Sequence, residues 1–570
     1  MKKKYIYFSL LLTAMISCSD EFTTQPAVGA LSDEALQNEV GLELLLTGAY
    51  SSLDGNRQNL AGSAFAYSPD NWWFDVISDD AHKGSTDGDQ ATLSDLEKYN
   101  INTSNDYVLG RWSALYAGVN RANAVINLIG ELTDSDFTGK LAEARFLRGY
   151  ANFELQKIYG APAYISEENA AATEYNQPNP GDIWAQVEAD FEFAIANLPD
   201  TQPEAGRPNS WTAKAFLGKT HLYQSDWTNA LSLLQDVINN GPYALNTEFL
   251  DNFTAAGENA TESVFAVQFS ADDGLSFNGN DGGTLNFPGA GPTGTCCGFY
   301  QPSIDLSNAY ETGPDGLPLL ETFNDEDITN DYGIPSSEDF TPFDGNLDPR
   351  IDYTMGRRGI QYNGYGINAG MDWIRSTTAD VGSSPYLPKK NIYQFDEIGV
   401  NAGTGDWGQQ RSGINYNIMR FADVLLMAAE AAVETGDLTT ALDYVNQVRN
   451  RAKNMTYVPE YDEENLAIEG TMAANYVIEP YTTFSDATFA RNAVRFERRL
   501  ELAMEGHRLF DLRRWGIATE VLNEYVENES RIITAMQGTV SPYTSTFDVL
   551  PIPINAIDLS GAVLQQNPGY

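Results

Sequence analysis

Residues 211–243 read WTAKAFLGKTHLYQSDWTNALSLLQDVINNGPY, and this stretch decides the fold. Leu217, Gly218, Ala230, Leu234 and Pro242 stand at the spacing of a helical-hairpin repeat. Such a repeat needs a small residue where two helices cross, another on the returning helix, and a proline that stops it. The pattern returns at residues 420–452, RFADVLLMAAEAAVETGDLTTALDYVNQVRNRA. There Gly436 and Asp437 turn between two amphipathic helices, and Ala429 and Ala441 are twelve apart, as are Gly218 and Ala230. Less regular helical segments lie at 112–160 and 182–198. One hairpin cannot bury its apolar face alone, so roughly four are expected to stack as a curved scaffold.

The spacing is that of a tetratricopeptide unit. The expected fold class is therefore mainly α, a tetratricopeptide-like helical-hairpin scaffold carrying a large loop-rich, irregular ligand-binding region. That region is 250–415, rich in Gly, Asn, Asp, Pro and Tyr, with apolar runs as short as Val264 to Phe269. Insertions on a rigid frame usually build the binding surface. A second polar loop, SPDNWWFDVISDDAHKGSTDGDQ, occupies 68–90. The organisation expected is a leader over 1–17, an N-terminal part over 18–249 and a C-terminal part over 250–570. The last comprises the loop-rich region, helices over 416–530 and a tail over 540–570. In the tail Pro551, Pro553 and Pro568 fix φ and remove donors, which predicts an extended segment.

The leader sets the compartment. Lys2, Lys3 and Lys4 precede an apolar stretch, Tyr5 to Ile16, too short to span a bilayer, which runs into Ser17 and Cys18. This is the form of a lipobox, whose cysteine is acylated and becomes the mature N-terminus, so the protein is expected to be lipid-anchored and otherwise soluble. Lys plus Arg number 34 and Asp plus Glu 79, a formal charge of −45. That field repels nucleic acid and polyanions. With 30 Tyr, 27 Phe and 9 Trp the chain folds rather than forming an acidic disordered tail.

Two cysteines remain, Cys296 and Cys297, adjacent in sequence. They can pair with each other, stay reduced or bridge two molecules. A vicinal disulfide, the expectation in an oxidising exterior, would hold the Cα atoms about 3.8 Å apart across a trans peptide. Catalytic motifs are weak. Gly289, Gly291 and Gly294 spell G-x-G-x-x-G, but Pro292 interrupts it and no helix pattern follows. His82, His221 and His507 are far apart, which argues against a histidine metal site. No cofactor is expected. Calcium in a structural role stays open at the Asp/Asn-rich stretches 272–281 and 325–331, neither with EF-hand spacing. Arg498, Arg499, Glu501, Glu505, Arg508, Asp511 and Arg513 read as an ion-pair network joining a helix to the scaffold.

Six longer segments carry a family likeness: LAEARFLRGYANFELQKIYGAP (141–162), WTAKAFLGKTHLYQSDW (211–227), NLDPRIDYTMGRRGI (346–360), NIMRFADVLLMAAEA (417–431), RFERRLELAMEGHRLFDLRRWG (495–516) and the terminal LPIPINAIDLSGAVLQQNPGY (550–570). Together with the lipobox they resemble the SusD/RagB family across nearly the whole chain. The resemblance implies a non-catalytic cell-surface glycan-binding lipoprotein of the outer membrane, facing outward, that serves a SusC-like TonB-dependent transporter. Ser19, Asp20 and Glu21 resemble the acidic signal for surface export. The alternatives are a RagB-like peptide binder of the same architecture and, less favoured, a glycoside hydrolase. Chance carboxylate pairs among 79 acids do not argue for the hydrolase.

A sugar site needs flat apolar faces and hydrogen-bonding edges. Trp72 and Trp73 with Asp79 and Asp80 supply both in one loop, and adjacent tryptophans on an extended segment face opposite ways. Cys296, Cys297, Phe299 and Tyr300 form a second platform, and in family members with an adjacent Cys pair that pair resembles part of the sugar-contacting surface. Asp348, Arg357, Arg358, Trp373, Tyr393 and Trp407 are further candidates. Taken singly, each tryptophan is more often core than ligand contact. The acidity favours a neutral glycan. Substituting Cys18→Ala is expected to release the protein from the membrane fraction or leave it unprocessed. Unchanged retention on detergent-phase partitioning would rule out the lipid anchor.

Overall fold

The computed structural model describes residues 37–570 except 56–59, 133–135, 272–277, 292–295, 376–381, 391, 406–407 and 463. Cys18 and the leader lie outside the described residues.

The scaffold is a row of helices, each lying on the next: α1 (Glu39–Tyr50), then past the short α2 (Trp72–Ile77) to α3 (Asp106–Glu131), α4 (Thr138–Tyr159), α5 (Trp184–Asn197), α6 (Ser210–Tyr223) and α7 (Trp227–Asn240). After the loop-rich region the row resumes with α8 (Phe421–Thr435) against α7, then α9 (Leu438–Asn454) and α10 (Ala487–Leu502). Two short helices follow, α11 (Arg508–Arg514) and α12 (Ala518–Glu529). Among the described residues three sequential hairpins form, α3–α4, α6–α7 and α8–α9. The fourth expected segment supplies α5, a single helix that packs on both α4 and α6.

The small residues act as their spacing predicts. A Cβ on Gly218 would stand 2.8 Å from Leu234 Cγ, so the missing side chain is what lets α6 approach α7. Ala230, Ala429 and Ala441 are fully buried at the corresponding crossings. Gly436 ends α8 at φ 88°, the left-handed turn a glycine C-cap takes at no steric cost. Phe146, Tyr150, Phe191, Phe216 and Phe265 interlock beneath the row as the centre of its core.

Among its described residues the loop-rich region holds only two-stranded ribbons. β1 (Ala81–Gly84) pairs with β3 (Phe299–Pro302), β2 (Ser263–Val267) with β6 (Tyr416–Arg420), and β4 (Ala402–Gly405) with β5 (Gly408–Ser412), all antiparallel. The C-terminal helices therefore begin at Phe421 rather than 416. The tail corrects a second expectation. Ile554–Leu559 is a short helix, with Pro553 as its N-cap, where the missing N–H leaves no intrahelical bond unmade. Around it the chain is tied to the end of α4: Leu550 N donates to Ile158 O (2.8 Å), and Asn567 Nδ2 donates to Tyr159 O (2.8 Å) and Leu550 O (2.8 Å).

A buried ionic network fastens the irregular half to the scaffold. Glu501 on α10 accepts from Arg350 (2.9 Å), Arg420 and Arg451. Glu497, one turn earlier, accepts from Arg350 (2.7 Å) and Arg449 (2.8 Å), and Glu505 from Arg420 (2.8 Å) and Lys390 (2.7 Å). Burial alone would raise the Glu501 carboxyl, but Arg451, Arg420 and Arg350 outweigh it and hold it well below the usual carboxylate range. The network was foreseen, yet its partners lie far apart in sequence rather than one helical turn away. Arg513 stands apart from it and donates to Tyr543 Oη (3.2 Å).

A second clamp joins β1 to α12. His82 Nδ1 lies 3.2 Å from Glu97 Oε1, and Nε2 lies 2.8 Å from Glu529 Oε1, with all three side chains buried. Burial disfavours the imidazolium, but the hydrogen bonds to Glu529 and Glu97 outweigh it and lift the pKa to about 9. The folded value lies above the unfolded one, so this stability is fully present below about pH 6.5 and lost as pH rises through about 9. His82→Gln is expected to cost on the order of 3 kcal/mol near neutrality and to flatten the alkaline fall in stability. Urea unfolding across this pH range checks it, and an alkaline limb identical in the variant would refute the clamp.

Candidate functional site

The β1–β3 ribbon sets two loops side by side. Its register, Gly84 opposite Phe299, continues as Ser85 N donating to Gly298 O (2.9 Å), so loop 85–90 runs beside Cys296 and Cys297. Their Sγ atoms are at bonding distance. The peptide between them is cis and the Cα atoms are 3.0 Å apart, not the trans spacing expected from the sequence. Cys296 is half-buried and Cys297 buried. Arg375 reaches across: Nη1 donates to Cys297 O (2.9 Å), lies 3.7 Å from Cys296 Sγ, and pairs with Asp89 Oδ2 (2.8 Å). Lys83 braces the loop from below, donating to Gly84 O, Thr86 O and Asp89 O.

Trp373 completes the patch. It is half-buried and stands edge-on to Tyr362 at 6.2 Å. A Cβ on Gly291 would come within 2.4 Å of the indole, so that glycine lets the backbone at 291 press against the ring. The arrangement offers what a sugar ring needs: a small sulfur surface, an indole, and a guanidinium beside a carboxylate.

Other candidates are placed differently. Trp72 and Trp73 begin α2 rather than an extended segment, and both are buried. On a helix, neighbouring residues are turned by only about 100°, so both indoles can enter one core. Trp72 packs edge-on against Tyr300 (5.7 Å), Phe299 (6.4 Å) and Tyr107 (6.5 Å), while Trp73 stacks on Phe74 (3.7 Å). Phe299 and Tyr300 belong to the same core, where Tyr300 Oη donates to Asp75 Oδ2 (2.6 Å).

Asp79 and Asp80 are buried structural carboxylates. Arg508 clasps both oxygens of Asp79 (2.8 and 2.7 Å), and Arg499 binds Asp80 Oδ1 (2.9 Å). Burial opposes ionisation of Asp79, but Arg499 and Arg508 overcome it and bring its pKa down to about 2. Arg357 is held in the same way by Asp352 (2.9 and 2.7 Å), and Asp348 by Arg350. Arg358 donates to the carbonyls of Pro335, Ser336 and Glu338. Tyr393 is buried 5.2 Å from Phe287. Trp407 lies outside the described residues.

Thus Cys296, Cys297 and Trp373 come together, while the other described candidates form the supporting core. Arg375 and Asp89 were not singled out in sequence. The available signal was position: Arg375 is two residues beyond Trp373, and Asp89 lies within the 68–90 loop. Among the described residues, no group of three or more His, Cys, Asp or Glu is arranged to hold a metal. Residues 272–277 of the first calcium candidate lie outside the described residues.

A family model described as "SusD family" matches residues 261–570, more than half of the chain. The chain belongs to the SusD family. A second model, described as "Starch-binding associating with outer membrane", matches residues 31–222. SusD-like protein P2 of Formosa agariphila is 24% identical, with both chains covered in full. Among solved structures, a laminarin-binding SusD-like protein is 22% identical over 94% of this chain and 100% of its own, with a TM-score of 0.63. Surface glycan-binding protein A from Bacteroides thetaiotaomicron in complex with laminarihexaose is 19% identical over 93% and 99%, with a TM-score of 0.60. At such identities the structural likeness carries the SusD fold alone.

For this SusD family member, unreduced peptide containing Cys296 and Cys297 is expected to weigh two hydrogens less than the dithiol. Two free thiols in the natively purified protein would reduce the pair to packing.

Proposed function

We propose that this SusD family member is a non-catalytic, lipid-anchored protein of the outer membrane, facing outward, that captures a neutral glycan for a SusC-like TonB-dependent transporter. The observation that carries the reading is the Cys296–Cys297 step set beside Trp373 and Arg375 on the loop-rich half. Sugar rings lose water well against such surfaces, and paired charged edges orient their hydroxyls. The relatives named for laminarin and laminarihexaose support a carbohydrate as the ligand class. The one description that mentions the outer membrane supports the location. The non-catalytic reading is supported by the SusD-like relatives, which are described by what they bind.

The row of helices offers a continuous face for a transporter, and α1 leaves Val40 and Leu44 exposed one turn apart. A formal charge of −45 disfavours an anionic polymer.

The test is affinity electrophoresis of the full chain in gels containing β-glucan, fructan or α-glucan, with alginate as the anionic control and reducing-end release measured in parallel. Retardation by a neutral polymer without release is expected, and Trp373→Ala should weaken it roughly tenfold, as loss of an aromatic anchor does. Retardation by none of them, or release of reducing ends, would overturn the proposal. Displacement by a peptide mixture would move it to the peptide-binding reading.

A further inference from the structure

We propose that the cleft between residues 353–364, 394–396 and 456–461 is a second carbohydrate site, taking a neutral segment of the same polymer held at Cys296 and Trp373. This inference rests on the capture reading above. The cleft encloses about 420 Å³, within the usual range of ligand clefts. Tyr353, Phe395, Tyr457 and Tyr461 line it together with Gln361 and Asp396. Flat apolar faces thus share the cleft with an amide and a carboxylate, the combination that matches a ring with C–H faces and hydroxyl edges.

The rings are fixed in place. Tyr353 Oη donates to Thr456 O (2.8 Å) and Tyr457 Oη to Lys453 O (2.8 Å), while Tyr457 stands edge-on to Tyr476 at 5.3 Å. Phe395 N donates to Asn363 O (2.9 Å), and its ring meets Tyr365 edge-on at 5.4 Å. Side chains ordered before binding lose little entropy on binding. Phe395 nevertheless remains 56% exposed, so its ring is available to a ligand.

The charge pattern selects the ligand. Lys389 supplies the one cation among the lining residues, and its ammonium is directed at Asp352 O (2.5 Å) and Gln361 O (3.1 Å). Asp396 is exposed on the rim, so nothing in the cleft attracts an anion. Among the described residues the Gln361 carboxamide makes no hydrogen bond within the protein, which leaves it available to hydroxyls.

The cleft also connects to the first site. Trp373 meets Tyr362 at 6.2 Å, the buried Tyr362 meets Tyr365 at 6.2 Å, and Tyr365 meets Phe395, so the two places lie three ring contacts apart through the core. A polymer long enough to pass over the surface between the two places engages both ends, and the second contact raises affinity through effective concentration. The competing occupant is a protein segment, since Ile398 and Val400 are exposed nearby.

Calorimetry on the full chain, with soluble β-glucan, fructan and α-glucan and with short oligosaccharides of each, decides between them. Phe395→Ala and Gln361→Ala are each expected to weaken polymer binding roughly fivefold and leave short-oligosaccharide binding unchanged. Trp373→Ala is expected to weaken both. Because Phe395 is largely exposed, its variant should melt as the parent does. Polymer affinity unchanged in both cleft variants, while Trp373→Ala still loses it, would remove the second site and keep the first. A parent protein that binds no member of the panel would remove the capture reading and this inference with it.

Discussion

The structure hangs on one buried carboxylate. Glu501 is shared by Arg350, Arg420 and Arg451 with no exposure to water. Taking an acid and three guanidiniums out of water costs several kcal/mol per ion, and only close, multiple hydrogen bonds offset it. Removal of any member leaves an uncompensated charge, so the arrangement favours one assembly over all others. The partners come from different places: Arg350 opens the 351–360 segment, Arg420 ends β6 and Arg451 sits on α9. One acid therefore sets where the irregular half stands on the helical row. Glu262, bonded to Arg420 (2.9 Å) and Arg451 (3.2 Å), brings the β2 end of that half into the same cluster.

From this fixed frame the proposed binding surface follows in layers. The aromatic residues the sequence offered as ligand contacts, Trp72, Phe299 and Tyr300, form a floor with edge-to-face packing. Asp79, held by Arg508, pins the loop that follows α2. Above that floor the β1–β3 ribbon carries loop 85–90 and the Cys296–Cys297 step to the rim. Irregular backbone holds its shape here because its carbonyls are satisfied, three of them by the single ammonium of Lys83. The rim residues, Trp373 and Arg375, are few, and most of the region's polar and aromatic content supports them.

The helical row was legible because crossing helices impose a hard steric rule. Gly218, Ala230, Ala429 and Ala441 must be small wherever two backbones approach, and that requirement survives any change of partner. The tail was half legible. Proline excludes a helix interior, as at Pro551, but Pro553 sits at a helix start, where the same missing N–H is harmless. The segment WWFDVI at 72–77 misled because six mostly apolar residues carry no period that separates a strand from a buried helix. Taken as extended, it placed one tryptophan outward, whereas the helix puts both inside. Arg375 and Asp89 were illegible for another reason. Their partnership joins segments nearly 300 residues apart through a ribbon of four residues a side, and no local pattern encodes that meeting.

The same charge economy bears on recognition. The chain has 34 basic residues against 79 acidic ones, and Arg350, Arg420, Arg449, Arg498 and Arg499 are all committed to internal carboxylates. Few cations remain for the surface, and at the patch Arg375 is already paired with Asp89. A ligand here cannot be gathered by a positive field. It must be held by ring faces and by hydrogen bonds to groups that keep their own partners, which are short-ranged and little screened by salt. On the capture reading proposed above, a strong negative field beside an aromatic rim selects by exclusion. Polyanions are repelled before contact, and uncharged polymers meet no barrier on approach.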